Sequence, residues 1–191
     1  MTIIVGYKDA KTGTVYIAGD TQGTSGWDAR HRADGKVFIK HGILYGFTSS
    51  YRMGQILKYH SEDVESPLLK EDTFGYVVSC LVPMWRKILA EHHFTKTESG
   101  VDTGGVFVVA VNGRLFVIES DFQVAEHADN FCAVGCGDSY AMGSMYSQDL
   151  DKPAKDIITE AIDAAIYFSA GCGGNIEVVM SVADGEVRGN D

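Results

Sequence analysis

Thr2-Ile3-Ile4-Val5-Gly6-Tyr7 and Val15-Tyr16-Ile17-Ala18-Gly19-Asp20 flank a short polar turn, Lys11-Thr12-Gly13, and Lys36 lies sixteen positions beyond Asp20. Both runs are rich in Ile, Val and Tyr and are bounded by turn formers, so residues 2–8 and 14–19 read as paired strands. The threonine stands directly behind the initiator Met, where its small side chain permits Met removal. The chain would then begin with a hydroxyl and a free α-amine on adjacent carbons. An α-amine titrates near pH ~7.7–8.0, so it is partly neutral at cellular pH and can act as base for its own nucleophile. A second-position threonine means little alone; its weight comes from Asp20 and Lys36 downstream.

Beyond these runs, residues 21–35 read as a surface loop. They carry a run of small residues, an isolated Trp27, and the basic cluster Arg30-His31-Arg32, which reads as a solvated or subunit-contact patch. Lys36–Ile39 and Ile43–Phe47 predict a second hairpin around His41-Gly42, with both faces of the strands apolar. Met53, Ile56, Leu57 and His60 then fall on one helical stripe, capped by Ser49 or Ser50. After a loop over residues 62–70 comes a second stripe: Phe74, Val77, Val78, Leu81, Val82, Trp85, Ile88 and Leu89. Pro83 lies inside it and should kink or split that helix.

Strands resume at Gly105–Val111 and Arg114–Glu119 around Asn112-Gly113, the strongest short-range hairpin signal in the chain. Phe131–Val134 predicts another strand and 138–149 a helix. Asp151-Lys152-Pro153 opens a further helix whose buried face is Ile157, Ile158, Ala161, Ile162 and Ala165. A glycine-rich loop, Ser169–Gly174, leads to a last strand at Ile176–Ser181, paired with a short tail strand after Asp184-Gly185. Strands and helices come in segregated runs, which favours α+β layering over a parallel βαβ sheet. Two stacked antiparallel sheets with a helix pair outside each would use every apolar face.

At 191 residues the length predicts one domain (1–191) able to bury a core without staples. A formal net charge of −10 argues against phosphate backbones and anionic lipid, so neither nucleic acid nor membrane is an expected partner. The first residues lack the form of a signal peptide and no apolar run is long enough to span a bilayer, which predicts a cytoplasmic protein. The four cysteines show no metal-ligand spacing and read as reduced thiols; the six histidines form no ligand set either.

The opening runs, with Asp20 and Lys36, resemble the start of the proteasome β-type family of N-terminal-nucleophile hydrolases, and in particular its HslV-type peptidases. A second match lies far down the chain, where Ala133-Val134-Gly135-Cys136-Gly137-Asp138-Ser139-Tyr140-Ala141 is similar to the family's Ile-Gly-Ser-Gly-Gly-Pro-Tyr-Ala segment. The spacing from Asp20 to Lys36 fits without a gap, while the first turn is about two residues longer than in HslV-type chains. The resemblance implies a four-layer αββα sandwich, the architecture that the element order also favours.

The resemblance also implies roles. Thr2 is the nucleophile, Lys36 the ammonium beside it, and Asp20 the partner that fixes Lys36; singly, Asp20 and Lys36 would read as surface charges. The N–H of Ser49 stands where the family places its oxyanion donor. Cys136 replaces a family serine, and Ser169 and Cys172 take the positions of an aspartate and a serine. Thiols donate more weakly than hydroxyls, so the order around the amine is expected to differ. Two thiols near Thr2 point to redox sensitivity, with inert packing as the other reading. Thr24 matches a residue that pairs with substrate backbone, and Tyr51 should narrow the first specificity pocket. The main-chain carbonyls of Ile166, Ser169 and Cys172 match a structural monovalent-cation site; no cofactor is implied as a requirement. The implied partners are further copies, as hexameric or heptameric rings that stack, a peptide or unfolded-protein substrate, and a separate ATP-dependent unfoldase, because the chain has no P-loop. The expected function is a threonine endopeptidase acting through an acyl-enzyme. Two rivals use the same fold: a ring-forming subunit without activity, and a small-molecule amidase.

Overall fold

The computed structural model describes residues 1–61 and 72–181, with the backbone of 187–189. Along the chain run β1 (Ile3–Lys8), β2 (Val15–Asp20), β3 (Gln22–Ser25), β4 (Asp28–His31), β5 (Val37–Lys40), β6 (Ile43–Phe47) and α1 (Tyr51–His60). A second helical stretch comes next: α2 (Thr73–Tyr76), a π-helical segment (Val77–Leu81) and α3 (Val82–Glu91). Beyond it lie β7 (Lys96–Glu98), β8 (Val101–Thr103), β9 (Phe107–Val111), β10 (Arg114–Ile118), β11 (Val124–Ala125) and β12 (Phe131–Gly135). The chain closes with α4 (Asp138–Ser147), α5 (Ala154–Phe168), β13 (Ile176–Ser181) and β14 (Val187–Gly189).

Two five-stranded antiparallel sheets form, ordered β12-β1-β2-β13-β14 and β11-β10-β9-β6-β5. The period-two rule explains how they stack. Ile3, Val5 and Tyr7 of β1 face Ile157, Ile158, Ala161 and Ile162 of α5, while Ile4 turns into the layer between the sheets with Ile17, Leu44 and Val108. On the far side, Tyr45, Phe47 and Phe107 pack under Met53, Leu57 and Trp85 of α1 and α3. The layers are therefore helix, sheet, sheet, helix, the expected αββα sandwich. The sheets approach closely at Gly46, where a Cβ would sit 2.6 Å from methyl carbons of Ile4 and Ile17.

All five expected positions on α5 are buried, as the helical period required. His41-Gly42 and Asn112-Gly113 take positive φ at both residues, the two-residue hairpin geometry that those pairs favour. Pro83 does not split its helix. The preceding turn widens instead, with the Val82 N–H reaching Val77 O, so that Pro83 enters near the start of α3 where a missing N–H costs little. Phe74 and Val78, expected in the buried stripe, are partly exposed because that widening rotates the face. His60, also expected on a buried stripe, is exposed and packs on the His92 ring instead. The small β7–β8 hairpin is charged and polar except for Val101, too little to give a strand signal. The loop expected at 62–70, and Asp184-Gly185, lie outside the described residues, but the tail strand is present as β14.

Trp85 anchors the layer over the second sheet, fully buried and edge-on to both Tyr45 and Phe107. Trp85→Ala should lower unfolding free energy by roughly 3–5 kcal/mol through lost transfer energy and a residual cavity. Urea denaturation checks this; a loss under about 1 kcal/mol would mean that the site collapses around the gap.

Candidate active site

The site is built where the edge of one layer meets the N-terminus. Asp20 ends β2, and its side chain turns inward under the start of β1. One oxygen, Oδ1, accepts the Ile3 N–H at 3.0 Å and the Lys36 ammonium at 2.6 Å. The other, Oδ2, accepts the Gly173 N–H at 3.0 Å. Both side chains of the pair have 0% exposure. A buried carboxylate is tolerated when its lone pairs are satisfied, and here one cation and two amides do this. Burial pushes the Lys36 pKa below its ordinary range, against the raising effect of the Asp20 carboxylate.

Thr2 is buried one residue before β1. Its N–H points at Cys136 Sγ at 3.4 Å, and its carbonyl accepts the Cys136 N–H at 2.9 Å. Its Oγ1 donates to the Met1 carbonyl at 2.6 Å. Met1 itself is 56% exposed and lies over Gly171, where a Cβ would come within 2.6 Å of the Met1 Cβ. Met1 and Thr2 border a cleft of about 630 Å³, whose other walls include Thr24, Ser49 and Tyr51.

Ser49 has φ 66°, a left-handed conformation that favours glycine. Its Oγ holds the Val106 N–H at 3.1 Å, and its own N–H has no hydrogen bond among the described residues. The helix cap is Ser50, whose Oγ accepts the Arg52 N–H at 3.1 Å, so Ser49 is left to the cleft. Ser49→Gly relieves about 1 kcal/mol of backbone strain and forfeits a hydrogen bond worth about 1 kcal/mol. The two should cancel, leaving the urea midpoint nearly unchanged; a large shift either way would show that one of them dominates.

The sulfur atoms of Cys136 and Cys172 lie 3.6 Å apart. Ser169 Oγ reaches the Cys136 carbonyl at 3.3 Å and its sulfur at 3.5 Å. Burial pushes the Cys172 thiol up to about 12. Ile166, Ser169 and Cys172 belong to the C-terminal end of α5 and the loop after it, where helix carbonyls concentrate partial negative charge. The Ser169 carbonyl already accepts the Cys172 N–H at 3.0 Å and keeps a second lone pair. That donor set suits a hard monovalent cation. No group of three His, Cys, Asp or Glu side chains among the described residues could hold a metal.

The structure thus gathers Thr2, Asp20, Lys36, Cys136, Ser169 and Cys172 at one place and sets Thr24, Ser49 and Tyr51 along the adjoining cleft. It corrects the reading of residues 21–35. Residues 22–31 form the β3–β4 hairpin instead of a loop, and Arg30 and His31, exposed as expected, line the cleft together with Arg32. Arg32 lies 3.9 Å above the Tyr51 ring and is paired with Asp34. Burial raises the Tyr51 phenol to about 12. Gln22 is a site residue that sequence reasoning misses. Its amide bridges Thr24 Oγ1 at 3.2 Å and the Ala170 carbonyl at 3.0 Å, tying the hairpin to the loop after α5. Nothing in a lone Gln signals such a bridge.

No family model matches the sequence, and a comparison with curated proteins gives no match. Solved structures do match. Thiobacillus denitrificans BPH in complex with epoxomicin aligns with a TM-score of 0.79 at 22% identity, covering 96% of this chain and 99% of that one. Eukaryotic HslV from Trypanosoma brucei aligns with a TM-score of 0.71 at 19% identity, covering 93% and 98%. The chain has the fold of these proteins over 93–96% of its length. No helix of the described residues is long and apolar enough to cross a membrane.

Proposed function

We propose that this chain is a threonine endopeptidase subunit of a self-compartmentalised ring, active once Met1 is removed. The observation that carries this reading is the fully buried Lys36–Asp20 pair, whose shared oxygen also fixes the Ile3 N–H next to Thr2. A lysine is enclosed with a carboxylate at a chain start only at considerable desolvation cost, and a catalytic role gives that cost a use. The likeness to BPH and HslV supports the ring assembly and the hydrolase class.

In the mature chain the Thr2 amine takes the Oγ proton, directly or through one water, as Oγ attacks the peptide carbonyl. The oxyanion that develops is received by the free N–H of Ser49. The amine then returns its proton to the leaving amine, and an ester on Oγ remains. Water activated by the same amine hydrolyses it. Lys36 stabilises negative charge on Oγ and keeps the amine toward its neutral form. Carbonyls of Ile166, Ser169 and Cys172 would hold a structural monovalent cation, with no part in these steps. An ATP-dependent unfoldase, as a separate protein in the cytoplasm, would deliver extended chain to the ring.

The test begins with intact mass, to establish that Thr2 is the first residue. Native mass then reads the ring, and hydrolysis of an unfolded polypeptide is compared with that of short amides. Cleavage of the polypeptide is expected. Rings without turnover would leave an inactive subunit, a reading that the weaker thiol donors at positions 136 and 172 favour. Turnover of short amides alone would make the protein an amidase.

A further inference from the structure

The thiols of Cys136 and Cys172 have no step in the chemistry above, yet they touch its centre. Cys136 is exposed and Cys172 buried, and their sulfurs are 3.6 Å apart. The backbones are close as well: a Cβ at Gly171 would lie 2.6 Å from the Cys136 sulfur, and one at Gly137 2.9 Å from the Cys172 sulfur. We infer that Cys136 and Cys172 form an oxidative modification site, a dithiol that peroxide converts to a disulfide and that a thiol reductant restores.

The chemistry balances in two steps. Peroxide transfers one oxygen to the exposed Cys136 sulfur, giving a sulfenic acid and water. The Cys172 sulfur then attacks the Cys136 sulfur, and the hydroxyl leaves with the Cys172 proton as a second water. Two electrons pass from the dithiol to peroxide. The order is set by access, because Cys136 is exposed to the oxidant while Cys172 is buried. Neither Cys132, which is buried at the sheet interface, nor Cys80, on the π-helical segment of the opposite helix layer, shares such a contact with another thiol among the described residues.

The consequence for Thr2 rests on the proposed function. Drawing the sulfurs from 3.6 Å to a bond of about 2.0 Å moves them together by more than ~1 Å. Cys136 Sγ is the atom that faces the Thr2 nitrogen, and Cys172 adjoins Gly173, whose N–H holds Asp20. Pulling on this loop therefore shifts both the amine and the carboxylate that fixes Lys36. Misplacement of about 1 Å in such a constellation can cost ~100-fold in rate.

The experiment uses the full chain carrying Cys80→Ser, treated with hydrogen peroxide, denatured, alkylated and mapped by mass. The expected result is a linked Cys136–Cys172 peptide pair, about 2 Da lighter than the sum of the two free peptides. Peptide hydrolysis should fall at least ~10-fold and return with dithiothreitol. With Cys172→Ser added, no link forms and dimedone captures Cys136 as sulfenic acid. Full alkylation of both thiols after peroxide would overturn the modification site. A linked pair with undiminished hydrolysis would overturn its effect on Thr2. A linked pair in a protein that never hydrolysed peptides would uphold the site and count against the peptidase reading alone.

Discussion

Thr2→Ala, in protein freed of Met1, should lower peptide hydrolysis by roughly 10⁴-fold or more, to the background of the assay. In the proposed mechanism the Oγ is the atom that forms the ester, so its loss removes the nucleophile. Thr2 contributes little to the core through that oxygen, whose one hydrogen bond is to the Met1 carbonyl that processing removes. Ring size and urea midpoint should therefore stay near those of the parent. Thr2→Ser keeps hydroxyl and amine on adjacent carbons and should retain measurable turnover. Hydrolysis by the alanine variant at near the parental rate would show that another group is the nucleophile. The comparison has to use material of verified N-terminus. A retained Met1 ties the amine into a peptide bond and borders the cleft, so it should abolish turnover in every variant alike.

The sandwich is legible in the sequence because burial is periodic. Ile3, Val5 and Tyr7 against Ile4, and the α5 stripe from Ile157 to Ala165, announce which face meets which layer. Asn112-Gly113 and His41-Gly42 fix two hairpins through backbone conformation alone. The β3–β4 hairpin is not legible, since Gln22-Gly23-Thr24-Ser25 buries little and is held by pairing with β4 and by the Gln22 bridge. The π-helical segment is hidden for a related reason: Pro83 announces a missing N–H but not how the helix accommodates it. At the site, Thr2, Asp20 and Lys36 can be named from the resemblance of the opening runs to a known family. The Gly173 N–H that completes the Asp20 shell and the stacking of Arg32 on Tyr51 depend on contacts between segments far apart in sequence.

Lys36 offers the second large effect, and it separates two physical causes. Lys36→Ala removes the ammonium to which the proposed mechanism gives a role at Thr2, and also leaves the Asp20 carboxylate buried without its cation. The two amides that remain, from Ile3 and Gly173, cannot neutralise it. Breaking a buried pair on one side typically costs about 3–5 kcal/mol, so this variant should lose both stability and activity. Lys36→Arg keeps the charge, and an electrostatic role alone would let it work. Lys36 is among the largest fully enclosed side chains of the chain, however, and a planar guanidinium needs more room and different donor directions. Its expected activity is at least ~100-fold below the parent, with a smaller loss of stability than Lys36→Ala. The pH profile gives an independent check. Turnover needs a neutral amine at Thr2, which sets a rising limb near pH ~7.7–8.0, and a charged Lys36, which sets a falling limb. Because burial holds the Lys36 pKa down, its ammonium is lost as pH rises through a value below that of an ordinary lysine, and the falling limb should lie there. Rates of a fluorogenic peptide across pH, with a urea midpoint for each variant, read all three effects. Parental activity in Lys36→Arg, or a rate that stays level up to the ordinary lysine range, would place this ammonium outside the chemistry and leave it a structural counter-ion for Asp20.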